Sequence, residues 1–467
     1  MLRKPIIFCV FALILISAFP PKTVHADVAP PEAPPGTSLI PGNESTQVRM
    51  LAETVTMTIF KDPANPREAM AKTEAVFTMR NLGADEEKMQ VRFPLSFFNG
   101  NSDGFGNFPE IASIMVKVDG KTIQTKRENQ PFFNTEFSYQ ERDEIPWAVF
   151  DVGFPSSQDV KIEVAYTVNG FGYYPYEVFK YILETGAGWK GTIGSAEIIV
   201  RLPYEAGEQN IWISGESGYG TTTAGGGLNG KEIRWRFEDL EPTAENNIQV
   251  MVVTPSLWES VLKETNAVTT NPEDGEAWGR LAKAYKEIAR MSKGYLRDDP
   301  AGRELFELSR SAYERCLALL PKDSLWQYGY ADLLWSHYYF DIYMSGKGDS
   351  QGILPVILMK LQTALVLDPN NQQAKDLLTE ISYSVPETVL LDGDNFVFLG
   401  LTATPPPPTP WVVEATPTFA PTVTSPSPTY SMGVNTPEPV SAPNPLCGSA
   451  YLLPALFGIA LVLKNRN

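Results

Sequence analysis

Asn99, Asn101, Asp103, Asn107 and Glu110 place oxygen-bearing side chains at alternating positions, with Gly104 where the chain must turn. Such spacing suits calcium, which takes several oxygen ligands and a closing bidentate Glu. The set departs from that pattern at its first position, an Asn rather than an Asp. It departs again at Gly106, where an apolar residue is usual, and at Pro109, just before Glu110. An Asn/Gly-rich connection between strands accounts for the same residues, and calcium stands as the alternative. No other cofactor is expected. Catalytic chemistry has little else to draw on. There are 2 histidines, His25 and His337, and the first lies in a segment expected to be removed. A histidine metal cluster is therefore excluded, and a Ser-His-Asp arrangement would need His337. His337 sits in Leu333-Leu-Trp-Ser-His-Tyr-Tyr-Phe340, where packing within a helix is the simpler reading. Acidic residues are plentiful, yet no spacing singles out the carboxylate pair that a glycoside hydrolase requires. Ser345-Gly-Lys-Gly-Asp-Ser350 has the glycines and lysine of a phosphate loop without the leading Gly or a preceding strand, and is read as a turn.

The formal net charge is −17, which excludes nucleic acid as a partner and describes a solvated acidic exterior. Of the 3 cysteines, Cys9 lies in the expected leader, while Cys316 and Cys447 fall in parts with different tasks, so no disulfide framework is expected. Phe97, Phe98, Phe105, Phe108, Phe132 and Phe133 crowd the connections of the first half. Anchoring those loops is the simpler role; stacking on sugar rings is the other, and it makes a secreted carbohydrate-binding protein or glycoside hydrolase the alternative function.

The elements that must position these residues begin with the two ends. Residues 1–26 carry Arg3 and Lys4, an apolar run from Pro5 to Ala18, and small residues around Val24-His-Ala26. That order predicts a secretory signal peptide. Residues 27–46 are a Pro-rich spacer in which no fold is expected. Residues 402–446, rich in Pro, Thr and Ser, cannot form a core; extended, they would reach on the order of 130 Å at ~3.1 Å per residue. Residues 447–467 join Cys447-Gly-Ser449 to an apolar stretch, Ala450 to Leu463, and a basic end at Lys464 and Arg466. A membrane anchor is one reading. The order also resembles bacterial C-terminal sorting tails, and that resemblance implies Cys447 as a lipid-attachment or sorting point. The positive-inside rule places residues 27–445 on the extracellular face of the envelope.

Residues 47–254 alternate apolar and polar side chains in short runs closed by Asn, Gly, Asp or Pro, as in Thr73-Glu-Ala-Val-Phe-Thr-Met-Arg80. Ile114–Val118 and Thr122–Thr125 meet across Asp119-Gly120, a dipeptide suited to a tight hairpin. Asn210–Ser214 reads as a further strand and Tyr176–Glu184 as a short helix. The expectation is an antiparallel β-sandwich, either one enlarged or two immunoglobulin-like modules. Tyr181-Ile-Leu-Glu-Thr-Gly-Ala-Gly-Trp-Lys-Gly-Thr-Ile-Gly-Ser195, with Leu202-Pro-Tyr204 beyond it, resembles a β-rich domain of unknown function found in secreted bacterial proteins. The resemblance implies a fold type and no activity.

Residues 255–382 change period. Trp278, Leu281, Ala282 and Tyr285 share one helical face, and Pro272 lies before them. Tyr313 and Cys316 precede Pro321, and Leu361 and Ala364 precede Pro369; the three prolines are 49 and 48 residues apart. This spacing resembles tetratricopeptide repeats, which implies paired helices stacked around a surface for a protein or peptide ligand. A repeat of that kind is ~34 residues long, and the extra residues fall at 291–302 and 344–352. Both insertions would emerge on one edge as a recognition rim. Gln327 breaks the pattern where Trp278 predicts an aromatic. Residues 383–401 read as a β-hairpin. Together these features predict a non-enzymatic interaction protein on the bacterial surface.

Overall fold

The computed structural model describes residues 40–41, 46–96, 110–131, 144–172, 174–213, 222–290, 296–297, 299–346, 348–349, 352–392 and 395–399. The chain divides into two compact units, Met1–Thr402 and Ala403–Asn467, and every described residue belongs to the first. The expected signal peptide, stalk, sorting tail with Cys447, and phenylalanine-rich connections lie outside the described residues. So do Asn99, Asn101, Asp103 and Asn107.

The first half is built from β1 (Ile40–Pro41), β2 (Val48–Lys61), β3 (Ala69–Asn81), β4 (Glu87–Pro94), β5 (Ile114–Val118), β6 (Lys121–Ile123) and β7 (Lys126–Pro131). It continues through β8 (Glu144–Phe154), β9 (Asp159–Asn169), β10 (Tyr176–Tyr181), β11 (Ile193–Arg201), β12 (Gly227–Asn229), β13 (Glu232–Leu240) and β14 (Ile248–Val253). An eight-stranded sheet runs β12-β13-β11-β2-β3-β9-β5-β6, a four-stranded sheet runs β1-β4-β8-β7, and β10 pairs with β14. Inward side chains of all three, among them Val55, Phe77, Ile162, Val91, Phe93, Phe150, Phe179 and Val250, belong to one hydrophobic core, giving a sandwich-like arrangement. Asp119 (φ 48°) and Gly120 (φ 76°) make the hairpin turn between β5 and β6, as their sequence predicts.

Several expectations are corrected. The large sheet is mixed: β11 runs parallel to β2, with Ile198 opposite Val55. Ile40-Pro41, inside the expected spacer, pairs with Arg92 and Val91 of β4. Tyr176–Tyr181 is a strand, not a helix, because its backbone pairs along its whole length with β14. Within Asn210–Ser214, Ile211 makes only an isolated bridge to Val252; the Asn210 side chain ties down a turn by accepting from Gly207 N (3.0 Å) and donating to Glu205 O (3.0 Å). In β2 a bulge between Met50 and Ala52 shifts the alternation and turns Glu53 inward, where it accepts from Tyr181 Oη at 2.7 Å.

The helical half holds α1 (Pro255–Thr270), α2 (Gly275–Ala289), α3 (Pro300–Leu319), α4 (Ser324–His337), α5 (Ile353–Leu367) and α6 (Gln372–Ser384). The hairpin β15 (Val389–Asp392) and β16 (Asn395–Phe398) follows. Among the described residues no helix is long and apolar enough to cross a membrane. Pro255 opens α1 as predicted, but the Thr254 hydroxyl does not cap it; it is buried without a hydrogen-bond partner.

The two halves are not separate bodies. Leu257, Trp258 and Val261 of α1 and Ala277, Leu281, Ala284 and Ile288 of α2 sit in the same core as the sheets. Polar contacts reinforce the joint: Tyr176 Oη donates to Ile288 O (2.8 Å), Tyr174 Oη to Glu287 (2.8 Å), and Lys61 pairs with Glu259 (2.9 Å). The central member is Arg297, from the segment between α2 and α3, which is 1% exposed. Its guanidinium forms two 2.6 Å bonds to Asp299 and donates to Glu208 O (2.6 Å), Ile211 O (3.2 Å) and Tyr176 Oη (3.1 Å). Asp299 in turn caps α3 by accepting from Gly302 N at 2.9 Å. Gly302 is required there, because a Cβ would collide with the Arg297 carbonyl. At Arg297 the first insertion is therefore anchored to the β half. Arg297→Ala should lower stability by ~3–5 kcal/mol, because it strands buried Asp299 and several carbonyls. Denaturant midpoints of the two proteins check this, and a loss below ~1 kcal/mol would mean that the joint does not depend on the guanidinium.

Candidate interaction surface on the helical array

The helices meet at three equivalent corners. The N–H groups of Asn271, Leu320 and Asp368 donate to the carbonyls of Ala267, Cys316 and Ala364 at 2.8, 2.7 and 2.9 Å. Just beyond each, a side chain caps the next helix: Asp274 accepts from Ala277 N (2.9 Å), Asp323 from Leu325 N (2.9 Å) and Asn371 from Ala374 N (3.0 Å). Trp278 Nε1 reaches back to Pro272 O at 2.9 Å, and Gln327 Nε2 reaches Pro321 O at the same 2.9 Å. Gln327 thus reproduces the bond of the indole it replaces, and the sequence mismatch does not break the repeat.

The predicted packing residues are brought together. Leu281, Ala282, Tyr313, Cys316, Leu361 and Ala364 are buried, and Trp278 and Tyr285 are partly buried against the core. Ser309 Oγ donates to Ala282 O at 2.8 Å, locking α3 to α2. Trp326 packs over Gly279, where a Cβ would displace it, so α4 approaches α2 closely. The Cys316 thiol is pushed up to about 12 by burial and then by the charges of Glu276 and Asp323. It stays protonated and is a packing group, not a nucleophile.

Successive units are also joined by a polar step that recurs. Lys286 Nζ of α2 donates to Asp332 of α4 at 2.7 Å, and Arg290 adds two bonds to the same carboxylate at 2.8 and 2.9 Å. One unit on, Trp335 Nε1 of α4 donates to Glu380 of α6 at 2.6 Å. Burial alone would raise Asp332, but the charges of Lys286 and Arg290 hold it at about 2. In that first step the carboxylate is matched by two cations, with Arg290 Nε buried without a hydrogen-bond partner. The second leaves more surface open. After His337 the helix continues as a π-helical turn, Tyr338–Tyr343. Along it Trp335, Tyr339 and Tyr343 form an aromatic column with ring centroids 5.4 and 5.8 Å apart. Tyr343 is 42% exposed, Met344 61%, and Tyr383 on α6 79%. These residues were missed in the sequence, where the aromatic run reads as helix packing.

The other candidate groups sit in local contacts. Glu110, the one described member of the calcium set, is ion-paired with Arg127. No group of three or more metal-ligating side chains occurs among the described residues. His337 Nδ1 lies 2.7 Å from Asp341, and its ring packs on Phe306. A shallow depression of about 330 Å³ on the outer face of the large sheet is lined by Thr54, Thr56, Glu74 and Lys117, with no aromatic side chain. Among the described residues, Glu177 of β10 is a strongly perturbed carboxyl group. At 4% exposure its pKa rises to about 8, through desolvation first and the charge of Glu68 second, against a lowering bond from the Ala69 amide. Its oxygen abuts Gly170, leaving no room for a substrate atom on that side.

No family model matches the chain, and no curated protein matches it. A putative nutrient binding protein from Legionella pneumophila is similar at 16% identity and a TM-score of 0.37, covering 61% of this chain and 99% of that one. An M1 zinc metallopeptidase from Deinococcus radiodurans is similar at 7% identity and a TM-score of 0.26, covering 45% of this chain and 43% of the peptidase. Likeness at these scores carries no inference about activity.

Glu177 yields a pH prediction. A carboxyl group raised to about 8 in the folded protein, from ~4.3 when unfolded, favours folding only while protonated. Its stabilisation is complete below the unfolded value and is lost as pH climbs towards 8. Glu177→Gln should therefore be more stable than the parent by up to ~5 kcal/mol above pH ~8 and nearly equal only below pH ~4, since the folded and unfolded proton affinities differ by nearly four powers of ten, each worth ~1.4 kcal/mol. Parallel stability profiles of the two proteins from mild acid to mild alkali would refute it.

Proposed function

We propose that this chain is a non-enzymatic interaction protein, exported and held at the surface of a bacterial cell, whose tetratricopeptide-like array presents the binding face. The β-sandwich acts as the platform to which that array is fixed. The observation that carries the reading is that helices adjacent in sequence pack side by side, α3 bonded to α2 through Ser309 and α4 to α5 through Ser324, while α2, α4 and α6 are linked in turn through Asp332 and Glu380. Arg297 supports the platform role by fixing the segment before α3 to the β half. Export rests on the leader-like residues 1–26, and attachment on the Pro/Thr stalk and the tail around Cys447.

Protease added to intact producing cells tests exposure. The folded unit should be clipped from the cells in the stalk and recovered in the medium, while a cytoplasmic marker stays whole. Recovery of the folded unit only after lysis would end the surface reading. If the released unit hydrolyses glycans or peptides, the non-enzymatic reading ends instead.

A further inference from the structure

We infer that the aromatic column of α4 and the facing edge of α6 form a docking site for a basic, extended segment of a partner protein. This rests on the array being the binding face.

The column supplies a platform. Trp335, Tyr339 and Tyr343 follow one another along the helix, and the Tyr339 and Tyr343 rings lie within 22° of parallel. Trp335 is 3% exposed and anchors the column from below, so the accessible part runs from Tyr339 to Tyr343, ~6 Å of axis at 1.5 Å per residue and the length of about two residues of extended chain. Tyr343 and Met344 are exposed beside the second insertion, and Tyr383 stands one turn beyond Glu380 on α6.

Several carboxylates are described around the platform. Glu380 accepts from the Trp335 indole through Oε1, and that bond sets α6 against the column. The carboxylates of Asp349 and Glu387 act on Tyr338 in the same region. Asp341 projects from the π-helical turn, where its partner is His337. Tyrosine faces ringed by carboxylates attract lysine or arginine, each cation–π contact giving ~0.5–1 kcal/mol at an exposed site. The net charge of −17 adds long-range attraction for such a partner. The equivalent step between α2 and α4 is unsuited, because Lys286 and Arg290 already occupy the cationic positions there.

The test is calorimetric titration of the full-length chain with three short synthetic peptides. One alternates lysine with glycine, one glutamate with glycine, and one is proline-rich and uncharged. The lysine peptide should bind, and the other two should not. Tyr343→Ala combined with Tyr383→Ala should weaken binding at least about tenfold, or ~1.4 kcal/mol. Both side chains are exposed, so an unchanged thermal midpoint should accompany the loss. Glu238→Gln with Glu241→Gln, on the β half, should change binding less than about twofold. Equal losses in the two double variants would reduce the effect to general surface charge and overturn the site. Binding of the glutamate or proline-rich peptide that the tyrosine variant abolishes would overturn the partner class while leaving the array as the binding face. Lysine-peptide binding insensitive to the tyrosine variant, or no binding by any peptide, would remove the site.

Discussion

A guanidinium withdrawn from water is costly unless its donors and its charge are matched. Arg297 meets that condition with Asp299, Tyr176 and the carbonyls of Glu208 and Ile211, groups drawn from both halves of the folded unit. The match exists only when the segment before α3, strand β10 and the turn after Tyr204 are all in place. Partial docking would leave a bare charge in a low-dielectric interior, so the joint closes completely or not at all. The array is therefore held in one orientation on the sheets, and α1 and α2 share the sandwich core instead of forming an independent end.

That fixed end explains how the two repeat units diverge. The capping bonds of Asp274, Asp323 and Asn371 are kept at each step because they satisfy backbone N–H groups that every helix start leaves open. The side chains joining neighbouring units are free to change. Between α2 and α4 the link is an ion cluster on Asp332; between α4 and α6 it is a single indole–carboxylate bond at the buried foot of an aromatic column whose far end, Tyr343, is exposed. Repetition supplies the scaffold, and the departure from repetition supplies the distinctive surface.

The helix-to-helix corners were legible in sequence because their cause is local: each holds a small residue, a proline and a capping Asp or Asn at fixed spacing. The Asp119-Gly120 turn was legible for the same reason. What periodicity missed was non-local. Gln327 looked like a failed repeat position until its side chain was seen making the bond of Trp278. A lone arginine in a loop reads as solvated, and nothing near Arg297 announces carbonyls about ninety residues earlier in the chain. Strand alternation marks β2 and β11 but does not say that they run parallel. The aromatic run after Leu333 was visible as a run. Its use as a column depends on the π-helical turn, which shifts the residues after His337 relative to an unbroken α-helix.

The far end of the array shows why it stops after α6. A sixth helix with no successor would expose Leu377, Leu378 and Ile381, and the β15–β16 hairpin lies where a further helix would follow. Val389, Phe396 and Phe398 turn towards that core, while Leu390, Val397 and Leu399 remain exposed. A two-stranded ribbon is a poor independent element, so it is the packing against α6 that keeps this one folded. Its strands are only four residues each, which limits the length of edge available to another chain. The hairpin thus ends helical stacking without offering an extended template for it to resume, and the column beside α6 lies in the last inter-unit step of the series.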